Sequence, residues 1–154
     1  MSDIVIDLPY TAQPRQELMH GTMARQIMYG GAAGGGKSEA MRWDAIAFCL
    51  QNPGLDAYLF RRTRVELENT HIKRVKTGIP AVLGHYNQTR NRFEFTNGSF
   101  LNRCYAEHEK DVENYNSVEF HWLGVDEAGQ FTPYQLAYLR SRMRLGSFKP
   151  PQAE

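Results

Sequence analysis

Residues 30–38 read Gly-Gly-Ala-Ala-Gly-Gly-Gly-Lys-Ser, and no other stretch narrows the possible folds of this chain as much. Gly31, four variable positions, Gly36, Lys37 and Ser38 satisfy G-x-x-x-x-G-K-[ST] in full. Wrapping a phosphate chain takes several converging backbone N–H groups, and only glycine or a very small side chain lets the backbone approach that closely. Gly31, Ala32, Ala33, Gly34, Gly35 and Gly36 meet that demand at every position. Lys37 supplies a charge for the β and γ phosphates. Ser38, opening a helix, offers its hydroxyl to Mg²⁺ while the free N–H groups of the helix face the anion. A flexible glycine-rich turn is the plain alternative, and with glycine near 7% of average composition it would match the four fixed positions by chance in roughly 1% of chains of this length. A dinucleotide fingerprint fits less well, because it leaves the Lys-Ser pair unexplained and the second strand ends in Phe60-Arg61-Arg62 rather than in an acid. The expected ligands of this loop are a nucleoside triphosphate and Mg²⁺.

The surrounding pattern supports an α/β reading. A short strand over 26–29 is predicted to run into the loop, and a largely buried helix over 39–50 to leave it until Asn52-Pro53-Gly54. A strand over 57–61 precedes a helix from Arg64 to about Lys76, with Val65, Ile72 and Val75 at helical spacing. Alternation over 92–96 and 100–105 about Asn97-Gly98 is a hairpin signal, taken as an insertion or edge feature. A last strand over 120–125 ends in Asp126-Glu127, and a final helix runs from Pro133 to about Arg144. Upstream, Pro9 and Pro14 mark 4–15 as a loosely ordered arm. The expected fold is a P-loop NTPase three-layer α/β/α arrangement with a mainly parallel sheet, and the chain divides into an arm over 1–21, a partial ATPase domain over 22–146 and a tail over 147–154.

Composition removes several other classes. With 154 residues, 42% hydrophobic and 23% charged, the chain suits one packed core and neither a disordered tail nor a repeat. Its formal net charge of +1 gives no global basic signal for nucleic acid. Cys49 and Cys104 form no C-x-x-C pair, and the apolar runs are too short for a membrane span.

In a parallel sheet ligands sit beyond the carboxyl ends of the strands, so Asp126 is expected to reach the Mg²⁺ held by Ser38 and Glu127 to accept a proton from attacking water. A solvated turn after the strand is the alternative. Gln16, upstream of the loop, has the donor and acceptor to read an adenine edge, although an arm glutamine is more often solvated. Arg140 and Arg144 share a helix face that Arg142 does not, so at most some of the three can act as an arginine finger; a solvated helix end explains all three equally. Arg61, Arg62 and Arg64 cluster after the second strand, as phosphate contacts or as a sheet-edge cap. Lys73, Arg74 and Lys76 then form the best local basic patch, partly offset by Glu66 and Glu68.

Five segments in this order resemble the ATPase domain of phage terminase large subunits, the DNA-packaging motors of tailed phages. They are Pro14-Arg15-Gln16, the glycine loop, F-R-R-T-R-V-E-L-E-N-T from Phe60, F-T-N-G-S-F from Phe95, and W-L-G-V-D-E-A from Trp122. The resemblance implies that Gln16 reads adenine, Lys37 and Ser38 bind phosphate and Mg²⁺ (Walker A), Asp126 is the second metal carboxylate (Walker B), and Glu127 is the catalytic base. It also implies ATP hydrolysis that drives double-stranded DNA into a procapsid by a homo-oligomeric ring docked on the portal protein, with the terminase small subunit as a further partner. The setting would be the cytoplasm of an infected bacterial host. The chain ends soon after Glu127, before the family's coupling motif and nuclease domain, and so reads as a fragment, a truncated gene product or a split subunit. A helicase- or recombinase-type ATPase core, or a binding module without turnover, are the other readings.

Overall fold

The computed structural model describes residues 6–30 and 36–144. Helix α1, Pro14–Gly21, begins with proline at a first-turn position, where the missing N–H costs nothing. Pro14 therefore starts a helix, where the sequence had been read as interrupting one. Helix α2, Lys37–Gln51, closes at Asn52, whose backbone N and Nδ2 both bond to the Phe48 carbonyl. Strand β1, Asp56–Arg61, follows.

Thr63 caps the next helix by accepting from the Glu66 N–H at 3.2 Å. The helix continues as α3 (Arg64–Leu67), a π-helical turn (Glu68–Ile72) and α4 (Lys73–Gly78). Then come β2 (Gly84–Asn87), β3 (Arg92–Phe95), β4 (Phe100–Tyr105), a 3₁₀ segment (Glu109–Tyr115), β5 (Trp122–Val125) and α5 (Pro133–Ser141).

The five strands form one mixed sheet in the order β2-β3-β4-β1-β5. β1 runs parallel to both neighbours, with Leu59 opposite Arg103 on β4 and opposite Gly124 on β5. β2, β3 and β4 form an antiparallel meander. Helices and 3₁₀ turns cover both faces, so the architecture is α/β. Against one face, α2 and α4 bury Trp43, Ile46, Leu59, Val75 and Leu101. Against the other, α5 and the 3₁₀ segment bury Phe60, Cys104, Val112, Phe120 and Leu139. No helix among the described residues is long and apolar enough to cross a membrane.

Three expectations change. Residues 26–29 are not a strand: Met28 is 93% exposed, and the segment joins none of the sheet ladders among the described residues. Apolar composition without a partner edge does not hold four residues in a strand. The hairpin is not peripheral, because its second arm β4 is the middle strand, buried on both faces through Leu101 and Cys104. β2 is an added strand that its short, polar sequence conceals. Its Gly84 lies so close to the β3 backbone that a Cβ would meet the Glu94 carbonyl oxygen at 2.1 Å.

Candidate functional site

Asp126 is the residue on which the carboxyl end of the sheet converges. Its N–H donates to the Phe60 carbonyl at 3.0 Å, extending the β1–β5 ladder past β5, and its side chain is 5% exposed. Oδ2 accepts from Ser38 Oγ at 2.7 Å, from His71 Nε2 at 2.8 Å and from Arg61 Nη1 at 2.9 Å. Oδ1 accepts from the Glu127 N–H at 3.0 Å.

Each donor is delivered by its element. Ser38 is the second residue of α2, and Arg42, one turn on along the same face, aims Nη1 at the Thr70 carbonyl (3.3 Å) and at His71 Nδ1 (3.4 Å). Arg61 ends β1 and also donates to Thr70 Oγ1 at 3.2 Å. Thr70 and His71 lie in the π-helical turn, the kind of local widening that recurs at functional sites.

Burial and charge set the protonation states. Burial pushes the His71 imidazole down to about 4, against the raising effect of Asp126. It is neutral near pH 7, with Nε2–H donating to Asp126 and Nδ1 accepting from Arg42. For Asp126, burial alone would raise the pKa, but the hydrogen bonds from His71 and Ser38 and the charge of Arg61 hold it down to about 2. Arg42 is lowered by burial. Arg103, on β4 beside Leu59, is 4% exposed, burial lowers it to about 9, and none of its three nitrogens has a hydrogen-bond partner. Arg61 thus pairs directly with the buried carboxylate of Asp126, and Arg42 reaches it through His71.

The loop enters through Gly36, the left-handed N-cap of α2 at φ 67°. Its carbonyl accepts from Gln16 Nε2 at 2.9 Å, and a Cβ there would crowd that nitrogen as well as strain the left-handed backbone, which is why glycine stands here. Gln16 is buried, and its Oε1 accepts from the Gln13 N–H at 2.8 Å. Further along α1, His20 Nδ1 donates to Asp44 on α2 at 2.8 Å. Lys37 is the first residue of α2 and half-buried. Gly31, Ala32, Ala33, Gly34 and Gly35 lie outside the described residues.

Glu127 follows Asp126 in a left-handed conformation, φ 53° and ψ 52°, with its side chain exposed. A non-glycine residue held there carries local strain of the sort that concentrates at functional sites. Arg62 braces the chain beyond it by donating to the Gln130 carbonyl and to Gln135 Oε1, both at 2.8 Å.

The three C-terminal arginines stand elsewhere. The N–H of Phe120 donates to the Arg142 carbonyl, the N–H of Arg144 donates to the Phe120 carbonyl, and Arg142 Nε donates to the Val118 carbonyl. Arg142 and Arg144 therefore sit at the amino end of β5, roughly 20 Å from Asp126 at ~3.3 Å per strand residue. Arg140 is exposed on α5.

Sequence reasoning brought Ser38 and Asp126 together correctly but missed His71, Arg42 and Arg103. The available signal was polar: His71 adjoins Ile72 and Val75 on the buried stripe of its helix, and Arg42 adjoins Trp43 and Ala45 on α2. A polar residue on an apolar stripe needs an internal partner. Chemically, the site presents one hydroxyl and one ionised carboxylate 2.7 Å apart beside a helix N-terminus. That oxygen-only pair suits a hard divalent cation such as Mg²⁺, which takes its remaining ligands from phosphate and water. Among the described residues no group of three His, Cys, Asp or Glu side chains gathers to hold a metal by itself. No family model matches the chain, and neither the curated proteins nor the solved structures contain a match to it.

Proposed function

We propose that this chain is the nucleotide-binding part of a Mg²⁺-dependent ATPase. The observation that carries the reading is the 2.7 Å hydrogen bond between Ser38 Oγ, which closes G-x-x-x-x-G-K-S, and Asp126 Oδ2 at the end of the parallel strands. Residues 88 positions apart meet where a P-loop fold joins its cation ligands.

In this reading Lys37 neutralises the β and γ phosphates, and Gly31, Ala32, Ala33, Gly34, Gly35 and Gly36 turn their N–H groups on the phosphate oxygens. Ser38 and Asp126 hold Mg²⁺, which when bound screens the phosphate charge and orients the γ-phosphoryl group. Glu127, exposed beside Asp126 and fixed by its own N–H on Oδ1, accepts the proton of the attacking water. Gln16 retains one amide hydrogen and one acceptor lone pair for an adenine edge, since its other two valences are spent on Gly36 and Gln13.

The resemblance to terminase large subunits extends the reading to the motor that drives double-stranded DNA into a procapsid. Its partners would be the portal protein, the terminase small subunit and further copies of the chain in a ring. The remoteness of Arg140, Arg142 and Arg144 from Asp126 suits a finger acting on a neighbouring subunit rather than in cis.

The test is Mg²⁺-dependent ATP binding and hydrolysis. Lys37→Ala is expected to lower ATP affinity. Glu127→Gln is expected to keep affinity and, in whatever assembly turns over, to slow hydrolysis at least ~100-fold, the scale of a lost general base. A folded wild-type chain that binds no ATP at millimolar concentration with Mg²⁺ overturns the reading. Loss of DNA packaging in the Lys37→Ala variant, together with association with portal, would separate the packaging motor from helicase or recombinase cores.

A further inference from the structure

We propose that His71 is a positioning residue that fixes Asp126 for a divalent cation, and that Arg61 is the donor that gives way when the cation arrives. The inference rests on the nucleotide-binding reading above and adds two residues that the glycine-loop chemistry does not call for.

The argument begins with the crowding of one oxygen. Oδ2 of Asp126 accepts from Ser38, His71 and Arg61 at 2.7, 2.8 and 2.9 Å, whereas Oδ1 accepts from the backbone N–H of Glu127. A carboxylate oxygen offers about two lone-pair sites, so three donors oversubscribe Oδ2, and the least firmly held of them is the one to leave when a cation binds beside the carboxylate. Ser38 need not leave, because its oxygen can ligate the cation while its hydrogen remains on Asp126.

The other two donors differ in what they have to fall back on. Arg61 Nη1 already reaches a second acceptor, Thr70 Oγ1, at 3.2 Å. It can swing to Thr70 without losing every bond, and its positive charge directly opposes a cation at the same carboxylate. His71 is fully buried, and Asp126 is the one acceptor that its Nε2–H meets among the described residues. Breaking that bond would strand a buried donor with its desolvation uncompensated. The bond is therefore retained, and it holds the carboxylate plane. Arg42, bonded to Nδ1 and to the Thr70 carbonyl, holds the ring in turn. The π-helical turn thus carries both partners of the exchange: the fixed donor, His71, and the alternative acceptor, Thr70.

The experiment titrates Mn²⁺ into the full chain with a non-hydrolysable ATP analogue and reads bound metal by electron paramagnetic resonance. Nucleotide affinity in EDTA and circular dichroism run alongside. His71→Leu should lower Mn²⁺ affinity ~10–100-fold, the usual cost of losing a partner that orients a ligand. His71→Gln, which keeps an N–H donor at comparable reach, should recover most of that loss, and affinity for the analogue in EDTA should stay unchanged in both. Arg61→Gln should move the other way and raise Mn²⁺ affinity several-fold by removing the competing charge. If His71→Leu does not fold, the His71→Gln and Arg61→Gln pair still decides. Wild-type Mn²⁺ affinity in folded His71→Leu, equal losses in His71→Leu and His71→Gln, or a loss in Arg61→Gln would each overturn the assignment while leaving the ATP reading intact. A wild-type chain that binds the analogue neither with nor without metal overturns both.

Discussion

The two faces of the sheet are built on different principles. Beneath α5 and the 3₁₀ segment, Tyr58, Phe60, Tyr115 and Phe120 pack ring on ring, with centroids 4.5–6.2 Å apart. The one buried polar side chain placed there, Gln135, is satisfied at both ends by Thr132, Arg62, Ala106 and His108. Beneath α2 and α4 the core is mainly apolar toward the amino ends of the parallel strands, where the buried Ser99 and Asn52 bond to α2 carbonyls, but it gives way at their carboxyl ends to Arg42, Arg61, His71, Arg103 and Asp126. One face is closed and spends its residues on packing. The other leaves a buried guanidinium without any hydrogen-bond partner, which in a native fold calls for a role or for ordered water.

That division can be challenged by substitution. The largest effect is expected at Phe120, fully buried and touching three other rings: Phe120→Ala should cost about 4 kcal/mol in urea unfolding, as aromatic truncation in a core does. ATP affinity of the folded fraction should be unchanged, and a parallel loss would show that the faces are not separable. On the polar face, Asp126→Ala should cost about 3 kcal/mol, because it leaves the guanidinium of Arg61 without its carboxylate. A neutral result there would mean that the cluster contributes nothing to stability.

Acid should act on the polar face first. His71 binds a proton near 6.5 when unfolded and only near 4 when folded, so the unfolded state gains protons as pH falls through that window. Stability should therefore decline from about pH 6.5 to about pH 4 and fall further as Asp126 approaches its own lowered value near 2. Urea midpoints across that range should be flatter in His71→Gln. Thr132→Ala removes the cap of α5, which accepts from the Gln135 N–H at 3.1 Å, and should cost about 1 kcal/mol on the apolar face alone. The smallest change has the opposite sign: Glu127→Gly relieves a left-handed backbone and should stabilise the fold by about 0.5 kcal/mol in urea unfolding, and on the proposed ATPase reading it should abolish turnover.

What the sequence disclosed follows from the same contrast. α2, β1, the Asn97-Gly98 hairpin and α5 are coded locally, by apolar spacing, turn residues and the Thr-Pro start at Thr132 and Pro133. The Ser38–Asp126 meeting was also legible, because a motif fixed one partner and a strand end fixed the other. Sheet order was not. That β4 inserts beside β1, and that residues 26–29 stay outside the sheet, depends on which edges meet across the chain rather than on any window of residues. The π-helical turn was illegible for a related reason. The partner that His71 meets from within it, Asp126, lies 55 positions away in sequence.

Each packed layer also carries its own thiol. Cys49 belongs to α2 and the first cluster, Cys104 to β4 and the second, and burial pushes both up to about 12. Alkylating reagents attack the thiolate, so neither sulfur should be modified while its layer is closed. The pair amounts to two internal clocks: the rate at which each cysteine is labelled times the opening of one side of the molecule independently of the other.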